Sequence, residues 1–168
     1  SVKIMGCNIR LKPGVSMGGA EMTSIALSVV VEARCWLGTP YLHQASECGV
    51  GADCLGLLRG VWRGVIGPEP FFMPSYSRDW SEPQGREDLW AAAQAVLIER
   101  DTEANTEGDE LLFRMRDGAV AKHLGIATAR ANRPGFVHAY SGHGVVESAL
   151  SAPWKRRIVA RFSFPERM

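Results

Sequence analysis

The sequence predicts an α+β fold, with helices from the first part of the chain packed on an antiparallel sheet of about five to six strands from the second. Three observations predict it. Apolar residues recur at helical spacing up to Arg100 and not beyond it. After Gly108 they occur in short alternating or continuous runs instead. Those runs are separated by the turn signals Asp117-Gly118, Arg133-Pro134-Gly135 and Ser141-Gly142. Connections that short leave no room for crossover helices, so neighbouring strands pair antiparallel.

Each element has its own signal. A first helix is expected from Met22 to Leu37, with Thr23 or Ser24 as N-cap and Gly38-Thr39-Pro40 as its stop. Residues 41–52 read as a polar, glycine-containing loop. A second helix starts close to Cys54, where Leu58, Val61, Trp62 and Val65 form an apolar stripe, and Gly67-Pro68-Glu69-Pro70 ends it. The proline-punctuated segment from Phe71 to Gly85 matches no regular pattern. A third helix is expected from Arg86 to Arg100, with Leu89, Ala93, Val96 and Leu97 on one face. Strands follow at Leu111–Met115, Leu124–Thr128, Phe136–Tyr140, Val145–Ser148 and Arg157–Phe164.

The 168 residues fit one domain of ordinary size, read as residues 22–168, with residues 1–21 as an arm or tether ahead of it. A hydrophobic fraction of 46% supplies a core. The net charge of +1 gives no basic excess, so no nucleic-acid partner is expected. No apolar stretch approaches the roughly 20 residues that span a bilayer. Residues 1–20 carry Lys3, Arg10, Lys12 and several glycines rather than an apolar h-region, so no signal peptide is expected.

The four cysteines, at 7, 35, 48 and 54, form no Cys-x-x-Cys pair, and free thiols are expected. Cys54 falls at the first turn of a helix, after Gly51-Ala52-Asp53. There the helix dipole and unpaired N–H groups favour thiolate and offer donors to an oxyanion. A small buried core residue is the competing reading of the same position. His123 opens one expected strand and His138 lies in the next. Side by side on adjacent strands and facing the helix packed on the sheet, one imidazole can take the thiol proton while the other holds its ring. Either histidine alone also reads as a satisfied core residue. The combination with Cys54 is what points to a thiol enzyme.

Four segments carry a resemblance. Leu37-Gly38-Thr39-Pro40-Tyr41, Gly51-Ala52-Asp53-Cys54-Leu55-Gly56-Leu57, His123-Leu124-Gly125-Ile126 and Val137-His138-Ala139 resemble, in order, the signatures of the NlpC family of murein peptidases. Gly108-Asp109-Glu110-Leu111-Leu112-Phe113 is similar to that family's first core strand. The resemblance implies a papain-like, circularly permuted fold and hydrolysis of amide bonds in peptidoglycan stem peptides, at the bond between γ-D-glutamate and a diamino acid. It assigns Cys54 as nucleophile, His123 as general base and acid, and His138 as the orienting residue. Tyr41 is matched to the oxyanion or substrate, and Asp53 to substrate contact or helix capping. No metal or organic cofactor is implied.

The sequence departs from the family pattern in three places. Leu55 follows the cysteine where serine is usual, and Leu42-His43-Gln44-Ala45 replaces Trp-Gly-Gly after the tyrosine. The interval between the two histidines is long, which suggests a longer turn through Arg130–Gly135. His143 is the rival third residue, and His43 is expected to line the cleft. Cys-Leu-Gly and the closing Trp154–Phe162 stretch resemble the branch attached to phage tails and gene-transfer-agent particles. That branch implies a tail component made in the cytoplasm and acting in the cell wall of a target cell, with residues 1–21 docking on a tail hub or baseplate. Rival readings are an acyltransferase on the same fold, a catalytically idle tail protein, and a metal site from Cys48, Cys54 and a histidine. The last matches no usual zinc spacing.

Overall fold

In the computed structural model the described residues are 24–70, 72–79 and 82–166. The arm expected at residues 1–21 lies outside them, as does the expected start of the first helix at Met22 and Thr23. Helix α1 runs Ser24–Cys35 and α2 Cys54–Val65. Between them the expected loop carries a small two-stranded sheet, β1 (Ser46–Glu47) and β2 (Gly51–Ala52). Gly56, in the first turn of α2, lets this loop lie on the helix. A Cβ there would overlap the Ala45 carbonyl oxygen.

The third helix is shorter than its periodicity predicts. Helix α3 spans Asp88–Val96 and gives way at Leu97 to extended backbone. Ile98–Arg100 form β3, antiparallel to β8 (Ile158–Ser163). All three β3 residues are exposed, Ile98 included, so no buried face marks the strand. Pairing with β8 decides the conformation, and tertiary context overrides the helical pattern.

The main sheet is antiparallel throughout, in the order β3-β8-β4-β5-β6-β7. Here β4 is Glu110–Phe113, β5 His123–Arg130, β6 Arg133–Tyr140 and β7 Gly144–Ala149. The longer turn expected at Arg130–Gly135 does not exist. The strands themselves run on to Arg130 and Arg133, and Ala131 and Asn132 close the hairpin with φ of 49° and 61°. Two successive positive φ values make the two-residue turn that suits the twist of a hairpin. A single helical turn, α4 (Ala152–Lys155), precedes β8.

Both faces of the sheet are covered, which is why β4 reads Leu-Leu-Phe without alternation. On one face Leu112, Leu124, Ile126, Val137 and Phe162 pack with Val29 and Ala33 of α1, Leu57 and Val61 of α2, and Leu89 of α3. On the other, Leu111, Phe113, Ala127 and Phe136 meet Leu150 and Trp154. Each fully buried Leu or Phe contributes about 2 kcal/mol of transfer free energy.

Candidate active site

Asp53 caps α2. Its Oδ1 accepts from the Gly56 amide at 2.7 Å, and its backbone is extended, so Cys54 is the first helical residue. The remaining valence of the carboxylate is taken by the chain itself. Oδ2 accepts from the Gln44 amide at 2.7 Å and from the Tyr76 hydroxyl at 2.7 Å, with His43 Nδ1 3.3 Å away. The buried Asp53 therefore ties together the helix start, the 43–44 loop and the 72–79 segment. The Gly56 contact is the geometry of the capping role.

Cys54 is half-buried, and its sulfur lies 3.9 Å from the carbonyl oxygen of Lys122, the residue before His123. The thiol is thus set against the start of β5, though no hydrogen bond joins it to the His123 ring in this state. Burial, followed by the negative Asp53, pushes the Cys54 thiol up to about 12, although the backbone amides of Leu124 and Leu55 act in the opposite sense. This corrects the expectation of a thiolate. A helix terminus contributes at most about 2 kcal/mol, and here desolvation and a neighbouring carboxylate outweigh it.

His123 and His138 are brought together, but on the sheet face away from α1 and α2 rather than facing the helix as expected, because Leu124 and Val137 beside them take the helix side. His123 Nε2 lies 2.8 Å from His138 Nδ1, and His138 Nε2 lies 2.9 Å from Ser148 Oγ on β7. Gly125 makes the meeting possible, because a Cβ at that position would stand 2.7 Å from the Phe136 ring and 3.3 Å from His138 Cβ. The two rings are 8% and 1% exposed. Burial, helped by His138, lowers His123 to about 3, while burial and His143 lower His138 to about 4. Both imidazoles are therefore neutral near pH 7.

Trp154 closes this face. Its ring lies 5.9 Å from His123 and 5.4 Å from His138, and the Arg157 guanidinium stacks 5.3 Å above it. Tyr140 borders both histidines, and His143 stacks on Tyr140 at 5.5 Å with no hydrogen bond to His123. Tyr41 is half-buried beside Cys54, bridged to Ala52. Burial and the neighbouring Cys54 and Asp53 hold its phenol above the ordinary range, which keeps it an O–H donor. His43, expected as a lining residue, sits edge-on to Tyr76 and reaches its carbonyl at 3.1 Å.

Tyr76, Ser148 and Trp154 were not identified from sequence. Tyr76 lies in the segment that showed no pattern. Ser148 sits within an expected strand, with nothing to distinguish it. Trp154 was read only as part of the closing stretch. Lys122, next to His123, pairs with Glu82, which also takes Arg116 at 2.8 Å. Tyr76 and Glu82 are thereby tied to Asp53 and Lys122, the residues before Cys54 and His123.

Among the described residues, no three His, Cys, Asp or Glu side chains are grouped to hold a metal ion. No helix among them is long and apolar enough to cross a membrane.

The sequence matches no family model and no curated protein. The fold is similar to that of a Staphylococcus aureus subsp. aureus Mu50 protein described as similar to lipoprotein, of the NLP/P60 family. The likeness has a TM-score of 0.55 at 19% identity and covers 91% of this chain. This chain spans 46% of that protein, about half its length. The α+β architecture with its six-stranded antiparallel sheet is that of the NLP/P60 fold.

Proposed function

We propose that this protein is a cysteine peptidase of the NlpC type that hydrolyses amide bonds in the peptide stems of murein. The observation that carries the reading is the buried His123–His138 hydrogen bond on a strand whose start, at the Lys122 carbonyl, lies 3.9 Å from the sulfur of a cysteine in the first turn of a helix, within an NLP/P60 fold.

The chemistry follows from the protonation states. The thiol and both imidazoles rest neutral, so the nucleophile is made during attack rather than stored as a thiolate. His123 Nε2 is engaged by His138, which assigns proton transfer to Nδ1. For Nδ1 to accept, the His123 proton sits on Nε2 and is donated to His138 Nδ1, and His138 in turn donates from Nε2 to Ser148 Oγ. The Ser148 hydroxyl, able to donate or accept, accepts at the end of this chain in that tautomer. An approach of sulfur and imidazole on substrate binding completes the pair, as in many unliganded sites.

As Cys54 Sγ attacks the carbonyl carbon, its proton passes to His123 Nδ1. The tetrahedral oxyanion meets backbone N–H groups at the start of α2 and the Tyr41 hydroxyl. His123 returns the proton to the leaving amine, and water then resolves the thioester. His138 orients the ring, and Asp53 holds the helix that presents the sulfur.

The finer reading is the bond between γ-D-glutamate and a diamino acid, cut by a phage-like tail component working in a target cell's wall, with residues 1–21 as its docking arm on a hub or baseplate protein. It rests on the resemblance of the motifs. The test is to incubate wild-type protein and Cys54→Ala with purified murein and identify released fragments by mass spectrometry. New stem-peptide termini are expected with wild type alone. Folded wild-type protein that releases none overturns the reading in favour of an idle tail protein, and amine-capped products in place of free carboxyls favour acyl transfer.

A further inference from the structure

Arg161, on β8 opposite Leu111 of β4, is 3% exposed, yet its guanidinium is only partly matched. Nη1 donates to the Thr106 carbonyl at 3.2 Å and to Asp109 Oδ2 at 3.4 Å. Nε is enclosed and has no partner among the described residues. Nη2 makes no hydrogen bond among them either, but it is not enclosed. Arg161 lines a cavity of about 70 Å³ together with Glu107, Asn132 and Leu150.

Glu107 brings the opposite charge to the same cavity. Its Oε2 accepts from the Ala129 amide at 3.0 Å, and its Oε1 makes no hydrogen bond among the described residues. The place is remote from the histidines. Ala129, which also lines the cavity, is six residues along β5 from His123, about 20 Å of strand.

We propose that this cavity binds a small zwitterionic amino acid of the size of glycine or alanine, its carboxylate on Arg161 and its ammonium on Glu107. An anion alone meets Arg161 but also faces Glu107 and Asp109, and a cation alone faces Arg161. A zwitterion gives each half-matched charge an opposite partner, and buried charges are stable only when paired. Burial raises Asp109 above the ordinary carboxylate range in spite of Arg161, so Asp109 compensates the guanidinium incompletely. The volume sets the size. One water needs roughly 10–15 Å³, so about 70 Å³ takes a molecule of about five or six heavy atoms, with Leu150 beside its apolar part. The inference rests on this cavity alone and stands apart from the peptidase reading.

The test is to titrate the isotope-labelled full chain with glycine, acetate and methylammonium in turn, following backbone amides by NMR. The Ala129 amide is the reporter, because it donates to Glu107. Glycine is expected to give saturating shifts at Ala129 and Asn132, with acetate and methylammonium each at least about tenfold weaker, the scale of one lost charged hydrogen bond. Glu107→Gln keeps an oxygen for the Ala129 amide at a half-buried position, and is expected to fold normally and to bind glycine at least about tenfold more weakly. The proposal is overturned if folded wild type shows no saturating shift, which would leave solvent alone in the cavity. Acetate or methylammonium binding as tightly as glycine, or an unchanged glycine affinity in Glu107→Gln, overturns it as well.

Discussion

Nε2 of His123 and Nδ1 of His138 are 2.8 Å apart, across two neighbouring strands and under the Trp154 indole. That bond fixes which nitrogen of His123 remains for chemistry. Removing His123 is expected to lower kcat by about 10²–10⁴, the scale of general acid–base catalysis. His138→Ala is expected to cost about a hundredfold through misplacement of the ring. Ser148→Ala is expected to cost less than about tenfold, one neutral hydrogen bond. Steady-state kinetics on a defined stem peptide orders the three. A His138→Ala variant as active as wild type would transfer the orienting role to His143.

A neutral resting pair has a pH signature. With His123 lowered to about 3 and the Cys54 thiol raised to about 12, the base and acid forms used in catalysis coexist across the neutral range. The profile of kcat/KM is expected to be flat from roughly pH 5 to pH 9. Alkylation of Cys54 without substrate is expected to rise about tenfold per pH unit over the same range, following the thiolate fraction. A plateau in alkylation below pH 7 would show a stored thiolate and sink the neutral-pair mechanism.

Trp154→Ala opens the histidine face to water. Burial is the first cause of the lowered His123, so His123 should move back toward the ordinary histidine range in this variant. An acid limb near pH 6 is then expected in kcat/KM where wild type is flat, with Trp154→Phe intermediate. A uniform loss of activity with no new limb would mean that the indole serves packing alone.

Glu110 gives a test of stability. It is 1% exposed on β4, its Oε2 is without a partner among the described residues, and burial raises it well above the ordinary carboxylate range. A raised carboxyl stays protonated when folded but ionises in the unfolded chain above about pH 4.5. Its stabilising share is therefore complete below that pH and is lost as pH rises toward the folded value. Glu110→Gln is expected to melt close to wild type at pH 4 and progressively above it from pH 5 to pH 8. Parallel melting curves across that range would contradict the assignment of a protonated Glu110.

What was legible in the sequence was what local chemistry writes. The stripe of Leu58, Val61, Trp62 and Val65 and the Asp53 cap gave α2, and turn residues gave the hairpins. Ile98–Arg100 was illegible because an exposed edge strand carries no burial pattern, and its identity comes from β8. The length of the β5–β6 hairpin was misread because Pro134 and Gly135 look like a turn, whereas the turn is made by Ala131 and Asn132 in a left-handed conformation unusual for alanine. In the site, cysteine and histidine announce themselves by reactivity. Tyr76, Ser148 and Trp154 act through contacts at long sequence separation, which a single sequence does not display. The charge state of Cys54 depends on burial and on Asp53 together, so the helix-terminus argument alone gave the wrong direction.

The tight turn of the β5–β6 hairpin bears on how this chain and its relatives can diverge. With Ala131 and Asn132 closing the ladder, Arg130 faces Arg133 and Ile126 faces Val137, so each added rung inserts one residue into each strand. The spacing between the two histidines is then free to drift only in steps of two. An odd insertion in one strand alone, unmatched in its partner, turns that strand's histidine to the opposite face of the sheet. Descendants should therefore differ here by paired insertions and deletions, and the parity of the interval becomes an inheritable mark of a working site.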